Sequence, residues 1–241
     1  MGGPSRWVAE LDSRSWEREL TREPLVILPV GALEAHGPHL PLAADQIQAE
    51  RTALDLAERH QALVLPALAY GVCRGARRFP GTVALSVSAL SDLTEEIVAN
   101  AGRMGVRRLL ILSGHAEPVH LAALREGADR AIQATASPRV HLLSDYDFVY
   151  ELRGSLAPAS DGHGGLLETS RVLAMRPELV GEPRAAVSDS RSRFRVGDPS
   201  PEEWPESVVG DPRGASAEIG RTIQEHVLRR FDETFPFGSV A

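Results

Sequence analysis

Lysine is absent: all 26 basic positions among the 241 residues are arginine. That absence removes Schiff-base chemistry, a pyridoxal phosphate anchor and a Walker-type phosphate loop, each of which needs an ε-ammonium group. Cysteine occurs once, at Cys73, which excludes a disulfide framework and every multi-cysteine zinc site and fits a reducing compartment. No uninterrupted apolar run approaches the roughly 18 residues that a membrane helix needs. Residues 1–7 carry no apolar signal-peptide core, and Arg6 stands where a myristoylation signal wants Ser or Thr. A basic tract is missing too: the formal charge is −7, whereas nucleic-acid surfaces need cations clustered on one face. The expectation is a cytoplasmic protein with no nucleic-acid or membrane partner, acting on a small, locally recognised substrate.

What is present is α/β alternation in a chain long enough for one substantial core, read as a single domain over residues 1–241. Short β-prone apolar runs occupy Leu25–Val30 and residues 62–68, 109–112 and 140–143. Between and after them, residues 45–60, 88–104, 118–132 and 215–232 show helical spacing of apolar positions; Gly105 stops one helix and Pro118 opens another. Buried apolar strands alternating with helices predict a mostly parallel sheet covered on both faces. Residues 181–214, rich in Pro, Ser, Arg and Asp, break the pattern and are expected to form a binding loop, lid or oligomer contact.

Open parallel sheets bind ligands beyond the carboxyl ends of their strands, so the segments following each strand carry the candidate chemistry. After the first strand comes Gly31-Ala32-Leu33-Glu34-Ala35-His36-Gly37-Pro38-His39, with Asp45 shortly behind; after the third comes Ser113-Gly114-His115-Ala116-Glu117-Pro118. Each joins an acid and a histidine two residues apart, and in extended backbone such a pair points to one side. Two imidazole–carboxylate pairs plus Asp45 as a bridge suit two divalent ions, Zn²⁺, Mn²⁺ or Fe²⁺. Paired cations acidify a water and polarise a carbonyl, so an amide can be attacked without a protein nucleophile, and neither a G-x-S-x-G elbow nor a cysteine–histidine motif is present. A third cluster, Asp161-Gly162-His163-Gly164-Gly165 with Glu168, puts a histidine in a glycine-rich loop before a helix. There His163 can shuttle a proton to the leaving nitrogen, while Glu168 orients it or reaches a metal.

Plainer readings apply to the remaining candidates. His39 is read as holding its Pro-rich turn through a backbone hydrogen bond, and His120, three residues after Glu117, as a capping or surface group. His60, His141 and His226 are read as structural, and Cys73 as a small buried hydrophobe.

These motifs together resemble the creatininase family of metal-dependent amidohydrolases. The likeness runs from about residue 25 to 231, through residues 28–42 with Asp45, Tyr70-Gly71, Phe79-Pro80-Gly81-Thr82, Gly114-His115-x-Glu117, and His163 with Glu168-Thr169-Ser170. The resemblance implies a three-layer α/β/α subunit, commonly hexameric, with a dinuclear site. It also implies that Glu34 and His115 hold one ion, that His36 and Glu117 hold the other, that Asp45 spans both and that His163 transfers protons. Where family members lack the glutamate matching Glu117, the residue matching Glu168 substitutes as ligand; here Glu168 is placed behind the ligands. Departures concern substrate: Ser113 and Pro118 replace frequent asparagines, and residues 145–160 contain Tyr146, Phe148 and Tyr150 but no tryptophan, so creatinine is not the expected substrate. Trp204 either closes over a pocket or packs at a subunit contact. The loop 74–79 carries three arginines, of which Arg77 and Arg78 are expected to bind an acidic group of the substrate. The expected function is hydrolysis of an amide or cyclic amide C–N bond in a small molecule or short peptide. A maturation peptidase for a small ribosomal peptide and a metal-binding, inactive assembly subunit are the alternatives.

Overall fold

The computed structural model describes residues 5–134, 138–183, 190, 194, 196–200 and 202–235, so parts of the irregular stretch 181–214 lie outside the described residues. Four strands, β1 (Leu25–Val30), β2 (Leu63–Val64), β3 (Arg108–Ser113) and β4 (Arg139–Ser144), form a wholly parallel sheet in the order β2-β1-β3-β4. In chain order the helices are α1 (Ser13–Leu20), α2 (Ala44–His60), α3 (Val87–Arg103), α4 (Pro118–Ala134), α5 (Tyr146–Val149), α6 (Leu166–Met175) and α7 (Ala217–Thr234). None of the described helices is long and apolar enough to cross a membrane.

Because side chains alternate along a strand, the continuous apolar runs of β1 and β3 supply two cores at once. Leu25, Ile27, Leu110 and Leu112 pack with Leu56 of α2, Leu167 of α6 and Ile223 and Val227 of α7. Val26, Leu28, Leu109 and Ile111 face the other way, onto Leu90 and Val98 of α3 and Leu124 of α4. Helices therefore cover both faces, giving the three expected layers. The predicted strand over residues 62–68 shortens to Leu63–Val64 for a covalent reason. Pro29 and Pro66 have no N–H to give the ladder, although Leu65 and Leu68 still donate to Ile27 O and Pro29 O at 2.8 and 3.0 Å.

Register decides where the site forms. Val30 pairs with Ser113 and Ser113 with Ser144, so three strands end level and the segments that follow them open on the same side. The first turn of α2 lies directly on those ends, and two glycines permit the approach. A Cβ on Gly31 would fall 2.5 Å from Gln46 N, and one on Gly114 would fall 2.1 Å from Asp45 O. Gly114→Ala should accordingly push α2 off the strand ends and lower stability by about 2–3 kcal/mol, the cost of overpacking a rigid site. Urea unfolding of the variant checks this, and an unchanged midpoint would refute it.

Candidate functional site

Asp45, in the first turn of α2, sits between the two histidines that follow β1 and β3. Its Oδ2 is 3.0 Å from His115 Nδ1, and its Oδ1 is 3.1 Å from His36 Nε2. Glu34 Oε2 approaches the same His115 nitrogen at 3.1 Å. Each ring is oriented from its far side: His115 Nε2–H donates to Val72 O and His36 Nδ1–H to Glu34 O, both at 3.0 Å. In the neutral imidazoles the lone pairs therefore face the carboxylates. Glu34 Oε2 and Asp45 Oδ2 are buried with no hydrogen-bond partner. Buried acceptors without donors, converging with an imidazole lone pair, are what a divalent cation satisfies, so the donor set fits metal ions of the kind bound by nitrogen and oxygen.

Electrostatics agree. Burial lowers the His36 pKa, yet the carboxylates of Glu168 and Asp45 more than offset it and push the imidazole up to about 10. Against the same penalty, Glu34 and Asp45 hold His115 well above its ordinary value. Burial alone would raise Asp45 and Glu34, but the neighbouring imidazoles keep both carboxyls below the usual range. A positive charge belongs here, whether a proton or a metal carries it.

His163 stacks on His36 with ring centroids 4.0 Å apart and donates from Nε2 to Ala35 O at 2.8 Å, which leaves Nδ1 with a lone pair. Burial and the adjacent His36 depress its pKa, so it is neutral near pH 7. Its loop is built by Asp161, whose carboxylate accepts the N–H groups of Leu166 (2.8 Å) and Leu167 (3.0 Å) at the start of α6. Glu168, the expected orienting acid, accepts from Gly164 N at 2.7 Å, Tyr146 OH at 2.7 Å and Gln48 Nε2 at 3.2 Å. It also lies 3.5 Å from His36 Nε2, closer to that histidine than the expected reading required.

Glu117 is positioned differently from the expected His36 partner. Its carboxylate stands 3.7 Å from His115 Nε2, accepts Arg74 N–H at 2.9 Å and keeps a side chain 22% exposed at the cavity mouth. Among the described residues, the acid that meets His36 and Asp45 within ligand range is Glu168. Arg77 and Arg78 lie apart from these groups: their Nε groups close on the two oxygens of Asp198 at 2.5 and 2.6 Å, and neither lines the cavity. Their charge is taken up by a carboxylate supplied from the irregular stretch, which no local pattern in the loop 74–79 announces.

Other expectations resolve with it. Ser113 Oγ donates to His115 O at 2.7 Å and accepts its N–H at 3.1 Å, so the third motif is braced without an asparagine. His120 is buried rather than at the surface. It bridges Ser113 Oγ and Val72 N, both at 3.2 Å, and burial beside His115 pushes its pKa down to about 3. His39 bonds a side chain, Thr169 Oγ1, at 2.9 Å, tying the first motif to α6. Cys73 is buried as expected, with its thiol raised by burial to about 11, but its sulfur stands within 4.8 Å of Glu34 and His115. Trp204 is buried and lies edge-on to His163 and Phe79, with centroids 5.1 and 5.4 Å apart, so it walls the cavity. Sequence reasoning noted Tyr146 only for the lack of a tryptophan around it, and missed its contact with Gln48 and the wholly buried Asp145–Arg171 pair behind them. The only sequence signal for that pair was an arginine on the apolar side of α6.

The cavity lined by Glu34, Asp45, His115, His163, Glu168 and Trp204 measures about 540 Å³, room for a small molecule or a short peptide end. The model of the creatininase (creatinine amidohydrolase) family matches residues 9–235. Creatinine amidohydrolase of Pseudomonas putida is 34% identical over 194 residues, 73% of this chain and 74% of that protein. A mycofactocin precursor peptide peptidase of Mycolicibacterium smegmatis is 30% identical over 212 residues, 83% of this chain and 79% of its own. The crystal structure of creatinine amidohydrolase superposes with a TM-score of 0.87 at 29% identity, covering 97% of this chain and 99% of that one. Zinc–zinc and manganese forms of creatininase superpose with a TM-score of 0.83 at 30% identity, over 97% of this chain and all of theirs. With its acid–histidine motifs inside that match and its layers superposed on those structures, the chain belongs to the creatininase family, metal-binding hydrolases that act on C–N bonds.

Proposed function

We propose that this chain hydrolyses an amide or cyclic amide of a small molecule or short peptide at a centre of two divalent cations. The observation that carries the reading is Asp45, whose two oxygens face two different imidazole nitrogens at 3.0 and 3.1 Å. Glu34, Asp45 and His115 would hold one ion. His36 and Asp45 would hold the other, with Glu117 of the third motif as its further acid. Glu168 is less suited to that place, because both of its oxygens already accept hydrogen bonds. When bound, such cations polarise a substrate carbonyl and make an attacking water more acidic.

The chain's own residues then manage the protons. His163 Nδ1 takes the proton of the attacking water and returns it to the nitrogen as the C–N bond breaks. Glu168 fixes the loop through Gly164 N, and the Ala35 carbonyl fixes the ring, so the imidazole need not search for its position. Trp204, itself backed by Phe79, screens the histidine from bulk water. Creatinine itself is not proposed as the substrate, since the cavity wall beside α5 is tyrosine where the resemblance leads one to expect tryptophan. A maturation peptidase is the second reading, favoured by the likeness to the mycofactocin precursor peptide peptidase.

Three measurements test these roles. Elemental analysis should find that Glu117→Gln loses about one of two ions and that Glu168→Gln retains both; the reverse would transfer the ligand role to Glu168. His163→Ala should keep its metal while kcat falls by about 10²–10⁴, and an undiminished kcat would remove it from proton transfer. His36 and His115 have raised values in the cation-free protein, so both are protonated at pH 7. Cation binding must displace those protons, and affinity should climb as pH rises from neutrality towards the His36 value of about 10. Calorimetry in buffers of different ionisation enthalpy should register release of about two protons per chain at pH 7; no release would contradict the assignment.

A further inference from the structure

The same cavity holds a cation that the hydrolytic reading does not use. Arg153 lines it and is the sole arginine among its described lining residues. Its guanidinium carbon lies 3.4 Å from the centroid of the Tyr150 ring, and its Nε is buried with no hydrogen-bond partner. No ion pair engages it among the described residues, although arginines elsewhere are engaged: Arg77 and Arg78 by Asp198, Arg171 by Asp145 and Arg230 by Glu151. The backbone beneath it is fixed. Arg153 N donates to Tyr150 O at 3.2 Å, Arg153 bridges to Ala157, and Gly154 N donates to Ala157 O at 2.7 Å.

A guanidinium laid on an aromatic face keeps its in-plane N–H groups for a planar anion, and a carboxylate matches that fork with two parallel hydrogen bonds. Asp161 is near enough to feel this charge but makes no ion pair with it, so the fork stays open for a bound anion. We propose that Arg153 binds a carboxylate of the substrate, so that the hydrolysed amide belongs to an acid such as an N-acyl amino acid or the C-terminal residue of a short peptide. This inference rests on the amidohydrolase reading for the reaction but on its own geometry for the binding. It also moves the anion-binding role expected of Arg77 and Arg78 to an arginine inside the cavity.

The test uses the zinc-loaded protein and two probe pairs that differ by one negative charge: N-acetyl-L-alanine with its primary amide, and trialanine with its C-terminal amide. Calorimetric binding should favour each acid over its amide by about tenfold. Arg153→Gln should reduce that preference below about twofold, and Arg153→Lys should restore part of it, a charge without the fork. Zinc content and melting temperature should match the wild type in both variants. A stronger preference in the acetylated pair assigns the N-acyl amino acids, and one in the peptide pair assigns the peptide end. Equal or absent binding of acids and amides by the wild type would overturn the proposal. So would a preference that survives in Arg153→Gln, which would put the carboxylate on the ions. If the acids bind preferentially through Arg153 and no probe is cleaved, the binding inference stands and the proposed reaction is what fails.

Discussion

Buried negative charge without enough hydrogen-bond donors is the condition around which this molecule is arranged. Each buried acceptor left unpaired costs about 1–3 kcal/mol, and Glu34 Oε2 and Asp45 Oδ2 are two of them side by side. The fold does not relieve the strain with a lysine or an arginine. It brings up two imidazoles instead, held on backbone carbonyls so that they serve equally as proton carriers or as ligands. A site made this way is poorly stabilised when it contains only protons and is improved by any ion of the right size and charge, which is how instability of the empty arrangement becomes affinity.

That condition needs a rigid surround, and a buried network supplies it. The Tyr146 hydroxyl of α5 donates to Glu168 of α6 at 2.7 Å and lies 2.9 Å from Gln48 Oε1 of α2. Behind them Arg171, wholly buried, pairs with Asp145 and donates to Thr52 Oγ1 at 3.3 Å, while Thr52 also meets Gln224 of α7. Such a pair adds little net stability, because desolvation offsets most of its attraction, but breaking it would strand a charge. Its effect is to couple the helices on one face of the sheet, so that the acid orienting the His163 loop cannot drift relative to α2.

Much of this was legible in the sequence because the signals were local. Apolar runs marked β1, β3 and β4, and the Glu34–His36 and His115–Glu117 pairs advertised strand ends by their spacing. Chain punctuation such as Gly105 and Pro118 fixed helix limits to within a few residues. What stayed hidden was long-range. Nothing near Arg77 or Arg78 discloses that Asp198 will pair with them, and nothing near Arg153 discloses that it will lie on Tyr150 instead. Likewise His120 looks like a surface helix residue until the segment carrying Val72 is laid across it. The truncation of β2 could have been read from Pro29 and Pro66 together, since the missing donors lie in adjacent strands, but only once the pairing of those strands was known.

The level strand ends have a corollary. Four of the five side chains nearest the proposed ions come from residues 34–115 and sit in the segments just after β1 and β3 or on the first turn of α2, whereas Tyr150, Arg153, Trp204 and Val209, which wall the cavity, come from short turns and irregular stretches later in the chain. The donors that face the proposed ions and much of the cavity wall thus come from separate portions of the polypeptide, with His163 and Glu168 in the later one. Remodelling the turns around a fixed His163 and Glu168 would therefore change what the cavity admits while leaving Glu34, His36, Asp45 and His115 where they are.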